Sequence, residues 1–197
     1  MDKEIFAYHL ETQFLGKQAI ILDEVDSTNT YLKEHCQRLE DGAFVYARCQ
    51  NAGKGRLTRS WASREGDGIA MSFLLKKVEL DEMKLLSVMA GLGVYHALRR
   101  IYSEDCFAIK WPNDVLAGEK KICGILCESK YDGQVADVVC GIGINVAQQQ
   151  DFFDENGLPF ATSLQLAAGK QVRQEIIAAG VLGEIEKTLG MYRDGKW

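Results

Sequence analysis

The sequence predicts an α+β fold built on a mixed sheet flanked by helices. Three observations carry this. Strand-like apolar runs cluster in the middle of the chain, helical periodicities flank them, and several neighbouring strands are joined by short turns. A regular βαβ winding would instead place a long crossover between successive strands. No internal repeat or low-complexity tract interrupts the pattern.

Taken in order, residues 3–10 look helical, and the apolar run at 19–22 is a strand that ends in the acidic stretch from Asp23 to Asp26. Asp26 or Ser27 then supplies an N-cap for a helix whose stripe is Tyr31, Leu32 and Leu39. Residues 44–49 form a strand, 51–67 a glycine-rich loop and 69–75 a further strand. The longest helix covers 81–102. Leu85, Val88, Met89, Leu92, Tyr95 and Leu98 recur at helical spacing, and Asp81 and Glu82 suit the positive end of its dipole. Phe107-Ala108-Ile109 is a short strand running into Lys110. Two successive strands follow at 122–127 and 135–146, with a turn at 131–133. A polar loop at 148–159 leads to a final helix over 171–191.

The 197 residues suffice for one domain, and 47% hydrophobic with 26% charged residues is the balance of an ordinary water-soluble globular chain. No apolar run approaches the roughly 20 residues that span a bilayer, and the N-terminus lacks a signal-peptide layout. A cytoplasmic protein with no membrane partner is expected. The net charge of −5 argues against a nucleic-acid footprint over the whole surface, and a DNA partner is not expected. Six cysteines occur without a CxxC pair, mostly in apolar strand-like contexts, so buried reduced thiols are expected rather than disulfides or zinc.

In an acidic chain, cations gathered on two Gly/Pro-bearing loops point to an anion site. The first loop is Gln50-Asn51-Ala52-Gly53-Lys54-Gly55-Arg56-Leu57-Thr58-Arg59-Ser60-Trp61. Gly53 and Gly55 let the backbone approach a ligand, and Lys54 and Arg56, two apart, can face one anion. A solvated basic loop explains these residues equally well. The second is Lys110-Trp111-Pro112-Asn113-Asp114, in which Pro112 holds Trp111 extended; a strand-ending β-turn is its plain explanation. In Lys120-Lys121-Ile122-Cys123-Gly124, strand alternation puts Lys121 and Cys123 on one face, while Gly124 leaves room for a ligand or a crossing backbone. Gly141-Ile142-Gly143-Ile144-Asn145 sets two glycines inside an apolar strand, which again implies close approach by something. Asp26-Ser27-Thr28-Asn29 is a helix cap whose short polar side chains can also meet a polar ligand head.

Together and in this order the segments resemble the biotin protein ligase family. Ser27-Thr28-Asn29 looks like its STN motif, Gln50 to Trp61 is similar to its glycine–arginine loop, and Lys110 to Asp114 matches its KWPND motif. Lys121 to Leu126, Gly141 to Asn145 and Ala161-Thr162-Ser163-Leu164 resemble its later segments, so the resemblance spans about residues 18–192. It implies a single catalytic domain over 1–197 related in fold to the class II aminoacyl-tRNA synthetases; an N-terminal helix-turn-helix is not expected, because too few residues precede the first strand. The family usually carries a C-terminal SH3-like barrel, which is not expected within the sequence to Trp197.

The resemblance also implies a two-step reaction: biotin and ATP, with Mg²⁺, give biotinyl-5′-AMP, and a lysine of a biotin carboxyl-carrier domain then takes the biotinyl group. Ser27, Thr28, Asn29, Gln50, Gly53, Lys54, Gly55, Arg56, Lys121 and Gly124 are the implied biotin site. Lys54, Arg56, Trp61, Lys110 and Asn145 are the implied ATP and adenylate contacts. Lys121, Arg56 and Asp114 are the implied catalytic residues, with Asp114 also a candidate Mg²⁺ ligand. Two departures lie in the loop, where the family usually has Arg at Lys54 and Arg-Gly at Leu57-Thr58. Family members often dimerise edge to edge through the central sheet, and the strand at 135–146 is a candidate edge or an interior strand. A lipoate or octanoate ligase or transferase, and a biotin-binding protein without turnover, are the alternatives.

Overall fold

The computed structural model describes residues 1–102, 106–131 and 135–196. Seven strands form one sheet: β1 (Ala19–Val25), β2 (Phe44–Gln50), β3 (Gly68–Glu79), β4 (Phe107–Lys110), β5 (Asp114–Ala117), β6 (Lys120–Tyr131) and β7 (Val135–Asn145). Their spatial order is β1-β2-β3-β7-β6-β5-β4. β1 and β2 are parallel, and every other neighbouring pair is antiparallel, so the sheet is mixed, as expected. The parallel pair needs a crossover, and α2 (Thr28–His35) supplies it.

The alternation of each strand divides its side chains between two unlike faces. Phe73 and Leu75 of β3, Ile125 of β6, and Val138, Ile142 and Ile144 of β7 point into the main core, beside Leu86, Met89 and Val94 of α3 (Leu80–Tyr102) and Ile185 and Leu189 of α6 (Gln174–Arg193). Phe6 of α1 (Lys3–His9) stacks on Phe44 with ring centroids 5.0 Å apart. Arg193 closes the α3–α6 pair with charge-assisted bonds to Glu82, at 2.7 and 3.2 Å to Oε1. On the opposite face Leu32 of α2 forms a smaller cluster with Ala43, Val45, Leu74 and Val139, with Ile20, Leu22 and Leu39 partly buried against it. The rest of that face is left for the site.

Several elements differ from expectation. Residues 114–117 form a strand rather than the tail of a turn. The Trp111–Asn113 turn folds β4 and β5 into a hairpin with Lys110 opposite Asp114, and Val115 and Ala117 are buried. The segment is short and opens on turn-forming residues, so periodicity could not mark it. The helix from Thr28 stops at His35, yet Leu39 still packs against its cluster. The polar loop holds α4 (Gln150–Glu155), anchored by buried Phe152 and Phe153, and is followed by α5 (Leu164–Ala168). β3 runs on to Glu79 through a bulge at Lys77, a non-glycine residue with φ of 55°. The 135–146 run is interior, between β3 and β6; the edges are β1 and β4. Of the cysteines, Cys123 and Cys140 are fully buried while the other four are half-buried. The expected turn at 131–133 falls largely outside the described residues.

The α3–α6 contact separates packing from helix propensity. A Cβ on Gly93 would lie 2.8 Å from the backbone N and Cα of Ile185, whereas one on Gly190 would meet nothing within 4 Å. Ala is better than Gly in a helix by about 1 kcal/mol, but overpacking a core costs about 1–3 kcal/mol. Urea denaturation should therefore show Gly93→Ala destabilised by at least about 1 kcal/mol and Gly190→Ala stabilised by up to about 1 kcal/mol.

Candidate active site

The open sheet face has an unusually low floor. Ala70, Gly143 and Gly124 form one cross-strand row over β3, β7 and β6, and Ser72, Gly141 and Leu126 form the next. With no side chains on the glycines, two groups rest directly on the backbone. The Trp61 ring lies over the paired glycines: a Cβ on Gly143 would sit 2.8 Å from Trp61 Cδ2, and one on Gly124 3.0 Å from Trp61 Cζ3. Asn29 occupies the space above Gly141, where a Cβ would lie 2.9 Å from its Cγ. The close approach that the glycines implied is thus made by the protein's own Trp61 and Asn29.

The inner end of the cleft is built where β1 enters α2. Ser27, Thr28 and Asn29 are 2–3% exposed. Ser27 stands at the N-cap position, but its hydroxyl makes no capping bond. The side chain of Gln50, at the end of β2, takes over: its Oε1 accepts from Thr28 N at 2.9 Å and lies 3.1 Å from Thr28 Oγ1. Ser72 Oγ is 2.7 Å from both Thr28 Oγ1 and Asn29 Oδ1. Asn29 Nδ2 donates to Leu126 O at 3.1 Å and to Glu128 Oε2 at 2.8 Å. Burial alone would raise the Glu128 carboxyl, but bonds from Lys33 and Asn29 and the charges of Lys33 and Lys54 outweigh it and hold the carboxyl below its ordinary 4.5.

The glycine–cation loop is a narrow hairpin rather than a free coil. Trp61 N donates to Gly53 O at 2.8 Å, Gly55 N donates to Arg59 O at 2.8 Å, and the base hangs from the end of β1 and the turn after it through Asn51 N to Val25 O and Ala52 N to Asp26 O. Its tip is Leu57, 95% exposed and held at φ of 60°, a conformation costly for a residue with a Cβ. Lys54 Nζ donates to Thr30 Oγ1 at 2.8 Å. Arg56 Nη1 reaches across to Asn113 Oδ1 at 2.9 Å, and Asn113 is clamped in turn to the backbone of Ile125. That contact joins the two cationic segments over the cleft.

Lys121 departs from the predicted alternation. A register shift between β5 and β6 lets Ile122 and Cys123 both enter the core, so Lys121 does not share the face of Cys123. Its Nζ lies 5.8 Å from the Trp61 ring centre and within 3.0 Å of where a Cβ on Gly124 would stand. Asp114 Oδ1 faces it at 2.7 Å; the oxygen is buried and lies off the line of a hydrogen bond, so the contact is an ion pair. Burial also pushes the Cys123 thiol far up, opposed weakly by the Lys121 charge.

These residues line a cleft of about 460 Å³, part of it open to solvent. Ser27, Thr28, Asn29, Gln50, Lys54, Gly55, Arg56, Trp61, Lys121 and Gly124 come together there, together with Asn113. Four expected site residues do not line it. Gly53 is buried under the Trp61 carbonyl, Asp114 stands behind Lys121, and Lys110 is exposed on the β4–β5 hairpin. Asn145 is buried and committed to Thr162 O at 3.0 Å and to Gln148 at 3.3 Å. Sequence reasoning missed Ser72, Asn113 and Glu128 as site-building groups. A lone Ser in the apolar run 69–75 was the one available signal for Ser72.

Residues 21–145 match the family model described as the biotin/lipoate A/B protein ligase family. The chain belongs to that family. A family member from Bacillus subtilis, the bifunctional ligase/repressor BirA, is 35% identical over 190 residues, covering 95% of this chain and 57% of its own length. The biotin–[acetyl-CoA-carboxylase] ligase of Mycobacterium tuberculosis is 34% identical, covering 94% of this chain and 71% of its own. A solved structure, the Aquifex aeolicus biotin protein ligase in complex with biotin and ATP, superposes with a TM-score of 0.76 at 35% identity, covering 90% of this chain and 72% of that one. This family member thus spans a little over half the length of the Bacillus relative.

Two outcomes test the geometry. Gly143→Ala should cost about 1–3 kcal/mol by overpacking against Trp61, and the cost should largely vanish when Trp61 is also Ala, as a double-mutant cycle of urea melts would read. Because the folded Glu128 carboxyl lies below its ordinary value, its stabilising contribution is complete above that value and is lost as pH falls through the lower folded one. The stability gap between wild type and Glu128→Gln should therefore be widest at neutral pH and close in acid.

Proposed function

We propose that the chain joins biotin to ATP as biotinyl-5′-AMP and passes the biotinyl group to a lysine of a carboxylase's biotin carrier domain, in the cytoplasm. The observation that carries this is the order of polarity along the cleft. Uncharged hydroxyl and amide groups of Ser27, Thr28 and Gln50 form the buried end, Ala70, Gly141 and Leu126 form an aliphatic floor, and Lys54, Arg56 and Lys121 stand at the outer end. Biotin has the same order: a neutral ring with N–H and C=O groups, an aliphatic chain and a carboxylate. A lipoyl ring would offer nothing to hydrogen-bond at the buried end, where the remaining lone pair of Thr28 and the Nε2 donor of Gln50 would gain no partner from it. The names of the Mycobacterium and Aquifex relatives support biotin as the acid and ATP as the nucleotide.

The first step brings a carboxylate oxygen onto the α-phosphorus, forming the acyl–phosphate bond as pyrophosphate leaves. Two unit charges of like sign at about 4 Å and an effective dielectric near 20 repel by about 4 kcal/mol. Lys121, Arg56 and Lys54 converge from a strand and a hairpin to offset that repulsion. Asp114 holds the Lys121 ammonium in place through the 2.7 Å pair. In the second step a neutral lysine amine attacks the activated carbonyl, AMP departs, and the amine loses a proton. Asn145, through the segment at Thr162 that it anchors, and exposed Lys110 are assigned to the nucleotide side.

Mg²⁺ belongs here with ATP, as counter-ion of the phosphates. Asp114 does not fit as its ligand, because its buried Oδ1 already faces Lys121. Among the described residues no group of three or more His, Cys, Asp or Glu side chains is placed to hold a metal.

Incubation with biotin, MgATP and a carrier domain should add the mass of one biotin, and lipoate should not substitute; no gain and no biotinyl-adenylate would reject the proposal. Lys121→Ala should lower adenylate formation by about 100-fold or more with the circular dichroism unchanged. Arg56→Gly severs the tether to Asn113 and should release the adenylate early, seen as biotin on bystander proteins that wild type leaves unlabelled.

A further inference from the structure

The buried end of the cleft contains a chain of hydrogen bonds whose direction is decided far from the ligand. Glu128 and the Leu126 carbonyl can only accept, so the Asn29 group facing both is its Nδ2. Asn29 Oδ1 therefore faces Ser72, and the 2.7 Å contact between them must use the single Ser72 proton. With that proton committed, Ser72 Oγ, fully buried, can only accept from Thr28 Oγ1, also at 2.7 Å. The Thr28 proton is then spent on Ser72, because any other orientation sets the lone pairs of the two hydroxyls against each other at 2.7 Å, while Gln50 Oε1 accepts from Thr28 N–H at 2.9 Å. Thr28 is left with lone pairs to offer, and Gln50 with its Nε2 donor.

We propose that Ser72, through Asn29 and Glu128 behind it, sets the hydrogen-bond polarity of the cleft, so that Thr28 Oγ1 meets the ligand only as an acceptor and selects a ring N–H at that place. Ser72 does not line the cleft; it is a positioning residue that governs specificity through Thr28. The inference rests on the biotin reading above and refines it: the ureido N–H facing Thr28 is the recognised group, and an oxygen in its place meets lone pair against lone pair. With Ser72 replaced by Ala, the Thr28 proton is released to turn toward the ligand or toward Gln50 Oε1, 3.1 Å away, so the penalty on an oxygen falls.

The test compares biotin with two cyclic-carbamate isosteres, each with one ureido N–H replaced by oxygen, by calorimetry on the full chain. Wild type should bind biotin about 100-fold or more tighter than one isostere and discriminate less against the other. Ser72→Ala should narrow the larger ratio at least about tenfold, mainly by tighter binding of the isostere. Val45→Ala, which only loosens packing beneath α2, should leave the ratio unchanged. Equal binding of all three ligands by wild type, an unaltered ratio in Ser72→Ala, or an equal collapse in Val45→Ala would each overturn the proposal. The wild-type comparison decides alone should Ser72→Ala fail to fold. Absence of biotin binding by wild type would instead reject the biotin reading itself.

Discussion

The site depends on one steric constraint: three glycines on adjacent strands must leave the sheet backbone bare. Gly141, Gly143 and Gly124 carry nothing on the open face, and Trp61 and Asn29 lie in the space their side chains would fill. Trp61 resting on the sheet sets how low the hairpin from Gly53 can fold. That height brings Lys54 and Arg56 to the same cleft as Lys121. Asn29 in its slot sets the position of Thr28 and, through it, of Gln50. Glycine weakens a strand, and the sheet absorbs this because β7 is central, paired along nearly its whole length on both sides.

The polar groups of the cleft divide by how firmly they are held. At the buried end nearly every donor and acceptor is committed to a protein partner, and low dielectric makes such a network costly to rearrange. At the outer end the cations are exposed or half-exposed and held by few contacts: Lys54 to Thr30, Arg56 to Asn113, Lys121 to Asp114 and the Trp61 ring. Solvent screening makes such exposed contacts individually weak. The arrangement suits a ligand whose ring is recognised by fixed geometry and whose charged end must be approached, reacted upon and released.

Much of this was legible in the chain. The mixed sheet followed from strand spacing and short turns, and the long helix from apolar periodicity between Leu85 and Leu98. The site motifs could be found because each pairs unusual residue types at close spacing, as in Gly53-Lys54-Gly55-Arg56. What escaped was of two kinds. Short elements such as 114–117 hold too few residues to display a period, and the bulge at Ile122 shifts the strand alternation without any local mark. Ser72, Asn113 and Glu128 are ordinary residues by type, and each became part of the site only through a partner 12 to 99 positions away.

The sequence by itself determined the fold class, the family likeness and the identity of the cations, because periodicity, turn chemistry and motif spacing are local properties of the chain. Tertiary structure alone decided that the glycines seat Trp61 and Asn29 and that Asp114 serves Lys121 rather than the cleft. It alone also decided that Thr28 presents an acceptor. The physical reason is common to all three: sheet register and hydrogen-bond direction depend on which distant groups meet, and pairing between strands brings them together.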